Sequence, residues 1–316
     1  MDISSVCIIG GSGFVGRSIA EQAATRGLRV RVVTRSAPRA RSLLVLPTLE
    51  AMVADPNDEA ALARCFDNMD AVVNLVGILH PAGRATFASA HVELPRKIAR
   101  ACRSAGVRQF LHMSALGASA SGPSEYQRSK AAGEEAVRAA GAELPFTIFR
   151  PSLIFGENDR SVNLFARLAR LFPVIPLGGA HAKFQPIWVE DVARCFVSSL
   201  GDSRALGSTY ELGGPRVYTL EELVRISAKV VGRSPKILAL PDALAALQAF
   251  VFEHLPGRLL TRDNLRSMSV DNVCAGPFPQ VFGFDPSPLE AVVPEYLTDG
   301  GARESRYQRF RHYAGR

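Results

Sequence analysis

The 316-residue chain predicts an α/β protein, a doubly wound parallel sheet with a smaller C-terminal α/β lobe. Three observations carry that expectation. A glycine turn, Gly10-x-x-Gly13-x-x-Gly16, sits directly behind the apolar run Val6-Cys7-Ile8-Ile9. Short Val/Ile/Leu-rich segments then alternate with helical patterns through the first half, as strands covered on both faces do. A content of 47% hydrophobic residues at this length is enough for one large domain or two unequal ones.

Taken in order, residues 6–9 predict the first strand and 15–26 the helix that follows the glycines. Further strands are expected at 29–34, 50–53, 71–76, 109–113 and 146–149, with helices between most of them. The second half is less regular: helical stretches at 162–171, 189–200 and 220–231 are interrupted by proline and glycine clusters. The run from Ala243 to Leu255 is apolar around most of its circumference, which predicts a helix buried in the small lobe, with an exposed docking face as the alternative. The expected organisation is a dinucleotide-binding domain over 1–156, to which 181–204 returns. Residues 157–180 and 205–302 form the smaller substrate or partner lobe, and 303–316 a basic tail.

Composition narrows the function classes. Five cysteines without a CxxC pair predict free thiols in a reducing compartment. The start of the chain shows no charged leader with an apolar segment, and no run of about 18 apolar residues occurs, so a cytoplasmic protein is expected. The net charge of +7 is largely local, in Arg35, Arg39 and Arg41 and in Arg303, Arg306, Arg309, Arg311 and Arg316. No nucleic-acid-binding pattern accompanies it, so nucleic acid is not an expected partner. His80, His112, His181, His254 and His312 form no metal-ligand spacing, and no metal is expected.

The glycine turn points to a dinucleotide. A helix N-terminus carries unpaired N–H groups and a partial positive charge, and glycines let a pyrophosphate approach the backbone. Gly10, Ser12, Gly13, Phe14, Val15 and Gly16 are the candidate contacts. A P-loop is the rival reading, since Gly11 to Ser18 departs from that pattern by Arg17 in place of Lys. At the end of the second strand, NAD binders place an acidic residue for the ribose 2′-hydroxyl. Here Thr34-Arg35-Ser36 stands instead, and a guanidinium suits a 2′-phosphate, so NADP(H) is expected over NAD(H). Further along, Tyr126-Gln-Arg-Ser-Lys130 places a phenol and an ammonium on one helical face. The charge of Lys130 is expected to lower the phenol pKa, so that Tyr126 can exchange a proton with a carbonyl or alcohol.

With these motifs the chain resembles the short-chain dehydrogenase/reductase superfamily, in its extended and atypical branches, with a Rossmann fold. The resemblance also rests on Asp55 after the third strand, Asn74-Leu-Val-Gly77, Arg150-Pro-Ser-Leu-Ile-Phe-Gly156, Gln185 to Ala193 and Tyr210 to Gly214. It implies cofactor contacts from Asp55, Val76, Gly77, Met113, Ser114, Tyr126, Lys130, Pro151 and Ile154, and a catalytic set of Tyr126, Lys130 and Ser114. Two departures stand out. Ser114 is followed by Ala115 and Leu116 where active members often carry further Ser or Thr, and His91 replaces an asparagine of the helix after the fourth strand. His91 is given no role.

Within the superfamily, Val73 to Leu79, His112 to Gly117 and Gly283 to Leu289 resemble a nucleotide-binding accessory subunit of the respiratory complex I alpha subcomplex and its bacterial relatives. That resemblance implies an NADPH-holding structural or assembly factor of a respiratory or quinone-related membrane complex. It also implies a location in the cytoplasm or at the periphery of the inner membrane. Arg258, Arg262 and the basic tail suggest contact with anionic lipid. An NADPH-dependent reductase or epimerase/dehydratase-like enzyme and an NADPH/NADP redox-sensing regulator are the other two readings.

Overall fold

A computed structural model of the protein describes residues 2–83, 85–141, 143–255 and 258–298; the basic tail expected at 303–316 lies outside the described residues. The first half runs β1 (Ser5–Ile9), α1 (Phe14–Thr25), β2 (Arg29–Thr34), α2 (Ala37–Ala40), β3 (Leu49–Val53), α3 (Glu59–Phe66), β4 (Ala71–Asn74), α4 (Leu94–Ser104), β5 (Gln109–Met113), α5 (Glu125–Arg138) and β6 (Phe146–Pro151). The second half runs β7 (Ile154–Phe155), α6 (Val162–Leu171), β8 (Val174–Leu177), β9 (Lys183–Phe184), β10 (Ile187–Trp188), α7 (Val189–Ser199) and β11 (Ser208–Leu212). It closes with β12 (Tyr218–Thr219), α8 (Leu220–Val230), β13 (Lys236–Ala239), α9 (Asp242–His254), α10 (Arg262–Ser267) and α11 (Leu289–Thr298).

Seven parallel strands form the central sheet in the order β11-β6-β5-β4-β1-β2-β3. Both faces of β1 are buried, as its continuous apolar run requires. Val6 and Ile8 join Ile19 of α1 and Phe196 of α7 on one side. Cys7 and Ile9 join Phe66 of α3 and Ile98 of α4 on the other. The chain winds outward from β1 to β3, then crosses back to β4 on the opposite side of β1. That reversal opens a crevice at the carboxyl ends of β1 and β4, where ligands of such sheets bind.

Three local outcomes differ from the sequence reading. The strand expected over 71–76 stops at Asn74, whose side-chain oxygen accepts the Val76 N–H at 3.1 Å and takes the chain out of the ladder. β6 runs on to Pro151 because β11, from the stretch assigned to the small lobe, pairs with it from Ser208↔Thr147 to Leu212↔Pro151. The helix expected in the small-lobe core is α9, and only Ala245 and Ala249 of it are buried. Leu244, Leu247, Phe250 and Val251 stand exposed, because α9 turns Ala245, Gln248, Ala249 and the half-buried Phe252 toward its neighbours.

Candidate functional site

The β1–α1 turn is built for close backbone approach. Gly10 has φ +81°, a conformation that strains any residue with a Cβ. A Cβ on Gly16 would lie 2.5 Å from the Gly11 Cα and 2.6 Å from the Gly10 carbonyl oxygen, so a side chain there would push the helix off the turn. Gly13 is the extended N-cap of α1, and no side chain caps the first turn. The N–H groups that a capping oxygen would take are left for a ligand, which fits a diphosphate. Ser12 Oγ lies 2.9 Å from Thr34 Oγ1 and so ties the turn to the end of β2. Arg17 Nε donates to the Ser12 carbonyl at 3.1 Å. Phe14 is half-buried and Val15 buried.

The neighbouring strand ends bring in the other candidate contacts. Arg35 is exposed just past β2, and Asp55 is exposed just past β3. The backbone N–H and side-chain amide of Asn57 hold the Asp55 carboxyl below its ordinary range, with the Arg35 charge adding to them. Val76 Cγ2 would lie 3.6 Å from a Cβ on Gly10, and a Cβ on Gly77 would lie 3.6 Å from both His91 Nε2 and Lys130 Nζ. Pro151 is buried at the end of β6, and Ile154 sits in β7 opposite Ile187.

The opposite wall is α5. Ser124 and Gln127 form a reciprocal capping box at its start. The Asp263 carboxylate of α10 accepts the N–H groups of Glu125 at 2.9 Å and Tyr126 at 3.1 Å. Tyr126, Lys130 and Glu134 follow at i, i+4 and i+8 on one face. Lys130 is buried and donates to the Met113 carbonyl at 2.8 Å. Burial brings its ammonium down to about 8, with the Glu134 carboxylate opposing the shift.

The expected lowering of the Tyr126 phenol is not what this arrangement produces. Burial pushes the phenol up to about 12, although part of the residue still reaches solvent. The Lys130 ammonium donates to the Met113 carbonyl.

Ser114 is buried, and its hydroxyl donates to Glu134 Oε1 at 2.6 Å. Arg150 grips the same carboxylate with two bonds of 2.7 Å, and Arg138 adds a third at 2.9 Å. Burial alone would raise the Glu134 carboxyl, but the bonds from Arg150, Ser114 and Arg138 outweigh it and hold the group ionised. The i+8 spacing from Tyr126 was the sequence signal for this residue.

His91 lies in the wall of the site. It sits in a π-turn over Ser89–Glu93, a geometry frequent at functional positions. Its ring stacks on Phe87 at 5.4 Å and meets Tyr126 edge-on at 5.6 Å. Nε2 accepts the Ile78 N–H at 3.0 Å, and Nδ1 lies 2.8 Å from Ser129 Oγ. Burial, then the nearby Lys130 charge, lowers its pKa to about 3. No sequence pattern announces a π-turn.

Beside Phe87 and Glu125 is a chamber of about 280 Å³, walled also by Leu79, Arg258, Arg262 and Asp263. A larger groove of about 960 Å³ runs along α4 and α5 past Arg96, Arg100 and Arg128 and reaches Glu134, Arg138 and Arg150; Tyr126 and the glycine turn line neither cavity.

Known proteins share this arrangement of strands. The family model described as "NAD dependent epimerase/dehydratase family" matches residues 6–213. The chain is 34% identical over 306 residues to NADH dehydrogenase [ubiquinone] 1 alpha subcomplex subunit 9, mitochondrial, of Arabidopsis thaliana, covering 93% of this chain and 71% of that protein. It is 33% identical over 242 residues to the ceramide reductase of Caulobacter vibrioides, covering 75% and 74%. Among solved structures, MoeE5 in complex with UDP-glucuronic acid and NAD superposes with a TM-score of 0.72 at 18% identity, over 93% of this chain and 98% of that one. That likeness speaks for the fold alone. The matched span begins in β1 and ends just past β11, so it contains all seven sheet strands, the glycine turn and α5, and the chain belongs to the NAD dependent epimerase/dehydratase family.

Proposed function

We propose that this protein holds NADP(H) in the crevice and serves as an accessory or assembly subunit of a respiratory or quinone-related membrane complex, at the cytoplasmic periphery of an inner membrane. The observation that carries the reading is the 2.6 Å bond from Ser114 to Glu134. It turns the hydroxyl proton into a carboxylate held by two guanidiniums, while burial keeps the Tyr126 phenol protonated. The glycine turn leaves room for a cofactor, whereas the Ser114 hydroxyl that would orient a carbonyl is already engaged by Glu134. The similarity to the plant complex I subunit supports the same role. In this reading 1–156 with 181–204 and β11 carries the dinucleotide, and 157–180 with the rest of 205–298 faces the partner.

The preference for NADP(H) rests on Arg35, exposed beside a glycine turn that has no carboxylate at the end of β2. A guanidinium paired with a 2′-phosphate contributes about 1.5–3 kcal/mol, roughly 10- to 100-fold in affinity. Titration of both cofactors is expected to show NADPH binding at least about tenfold tighter. Arg35→Ala is expected to remove that margin and leave NADH affinity unchanged. Equal or tighter NADH binding by the unaltered chain would overturn the preference.

A second reading, an NADPH-dependent reductase with Tyr126 as proton donor, is favoured by the similarity to the ceramide reductase. Turnover on a panel of carbonyl compounds separates the two. The accessory role predicts none above background, whereas turnover that Tyr126→Phe abolishes without loss of NADPH affinity establishes the enzyme.

A further inference from the structure

We propose that the outward face of α9, together with the β8–β13 pair, seats on an anionic lipid bilayer. This names the face and the partner for the membrane-peripheral role above. It stands apart from the cofactor reading, because vesicle binding and NADPH binding are measured separately.

The amphipathic pattern of α9 is reversed. The side that packs inward carries Ala245, Gln248 and Ala249, with Gln248 donating to the Pro176 carbonyl at 2.8 Å and accepting the Gly178 N–H at 3.1 Å. Leu244, Leu247, Val251 and Leu255, at i, i+3, i+7 and i+11, point outward and are 46% to 58% exposed. Apart from the half-buried Phe252, the helix is thus fixed through small and polar groups, while most of its large apolar side chains face away from the protein.

The neighbouring sheet repeats the arrangement. Ile175 and Ile237 turn inward, whereas Val174 and Leu238, one residue before and one after them, are exposed. Of the fifteen large apolar side chains that stand exposed among the described residues, ten belong to 171–174 and 238–259. A clustering of that kind marks a docking surface.

The charge around this surface selects the partner. Residues 167–177 and 233–266 hold seven Lys and Arg against three carboxylates. Arg167, Arg170, Arg233 and Lys236 are exposed beside the sheet, and Arg258 and Arg262 follow α9. Anionic headgroups complement such a rim, whereas a second copy of the same face would bring like charges together. At 13 residues α9 is about 20 Å long, too short for a hydrocarbon core of about 30 Å, and among the described residues no helix is long and apolar enough to cross a membrane. The surface therefore lies on the bilayer, with apolar residues in the headgroup boundary and arginines among the phosphates.

The test is flotation of the full chain with phosphatidylcholine vesicles, with and without phosphatidylglycerol, at low salt. The unaltered protein is expected to float with the phosphatidylglycerol vesicles and only weakly with the others. Leu247→Glu combined with Val251→Glu is expected to lower partitioning by about tenfold or more, with unchanged melting temperature and NADPH affinity. Phe250→Trp should gain a blue-shifted emission component on vesicles that the unaltered chain lacks. Three results would overturn the proposal: no flotation with either vesicle, flotation undiminished by the double glutamate variant, or a dimer in solution that the same variant dissolves.

Discussion

His91 has one proton and one lone pair to place, and its neighbours dictate where each goes. The Ser129 hydroxyl spends its proton on the Tyr126 carbonyl at 2.8 Å, so it accepts from Nδ1–H. Ile78 N–H takes the lone pair on Nε2. The neutral Nδ1–H tautomer satisfies both, and a second proton would face Ile78 N–H and the Lys130 ammonium. The folded pKa near 3 lies below the ordinary 6.5, so between those values the unfolded chain binds the extra proton. His91 therefore contributes stability that is complete above about pH 6.5 and is lost as the pH falls toward 3, at up to about 1.4 kcal/mol per pH unit. Urea unfolding across that range should show a smaller loss for His91→Asn than for the unaltered chain. Identical slopes would mean that His91 is not held neutral by this network.

At the scale of elements, the π-turn and α5 are locked together at Gly133. A Cβ there would stand 2.0 Å from the His91 carbonyl oxygen and 3.2 Å from its carbon. Replacing a mid-helix glycine by alanine ordinarily gains up to about 1 kcal/mol. Here overpacking against backbone costs about 1–3 kcal/mol or more, and the clash wins. Gly133→Ala should lower the melting temperature and weaken NADPH binding together, because the turn it displaces carries His91 and, through Ile78, the strand-end loop. A stabilised variant with unchanged affinity would refute this coupling.

The same elements show what a sequence discloses. The glycine turn, the alternating strands and Tyr126/Lys130 were legible because each depends on local spacing. His91 was not, since a π-turn leaves no periodic mark, and Ser114 could not be matched to Glu134 before the fold brought β5 and α5 together. The outward stripe of α9 was misjudged for a related reason: an all-round apolar helix does not announce which side its neighbours cover.

Across the whole molecule the two edges of the sheet divide the labour. The carboxyl edge gathers the glycine turn, Arg35, Gly77 and Tyr126. The amino edge is tied by Asp70, where β1, β4 and β5 begin. Its Oδ2 accepts the N–H and hydroxyl groups of Ser4 and Ser5 at 2.8–2.9 Å, and its Oδ1 accepts from Arg108 at 2.7 Å. Burial opposes ionisation, but these donors outweigh it and hold the carboxyl well below its ordinary 3.8. Because the folded pKa is the lower one, the unfolded chain binds more protons in the window between them. The stabilisation is present above about pH 4 and disappears only as the pH falls through the depressed value. Asp70→Asn turns an acceptor of five bonds into a group whose amide faces donors, and should cost about 1–3 kcal/mol in denaturant unfolding. The NADPH dissociation constant should be unchanged, since the proposed cofactor crevice lies at the far ends of the same strands. If the variant lost cofactor affinity as well as stability, the two edges would be coupled through the sheet and the division would fail.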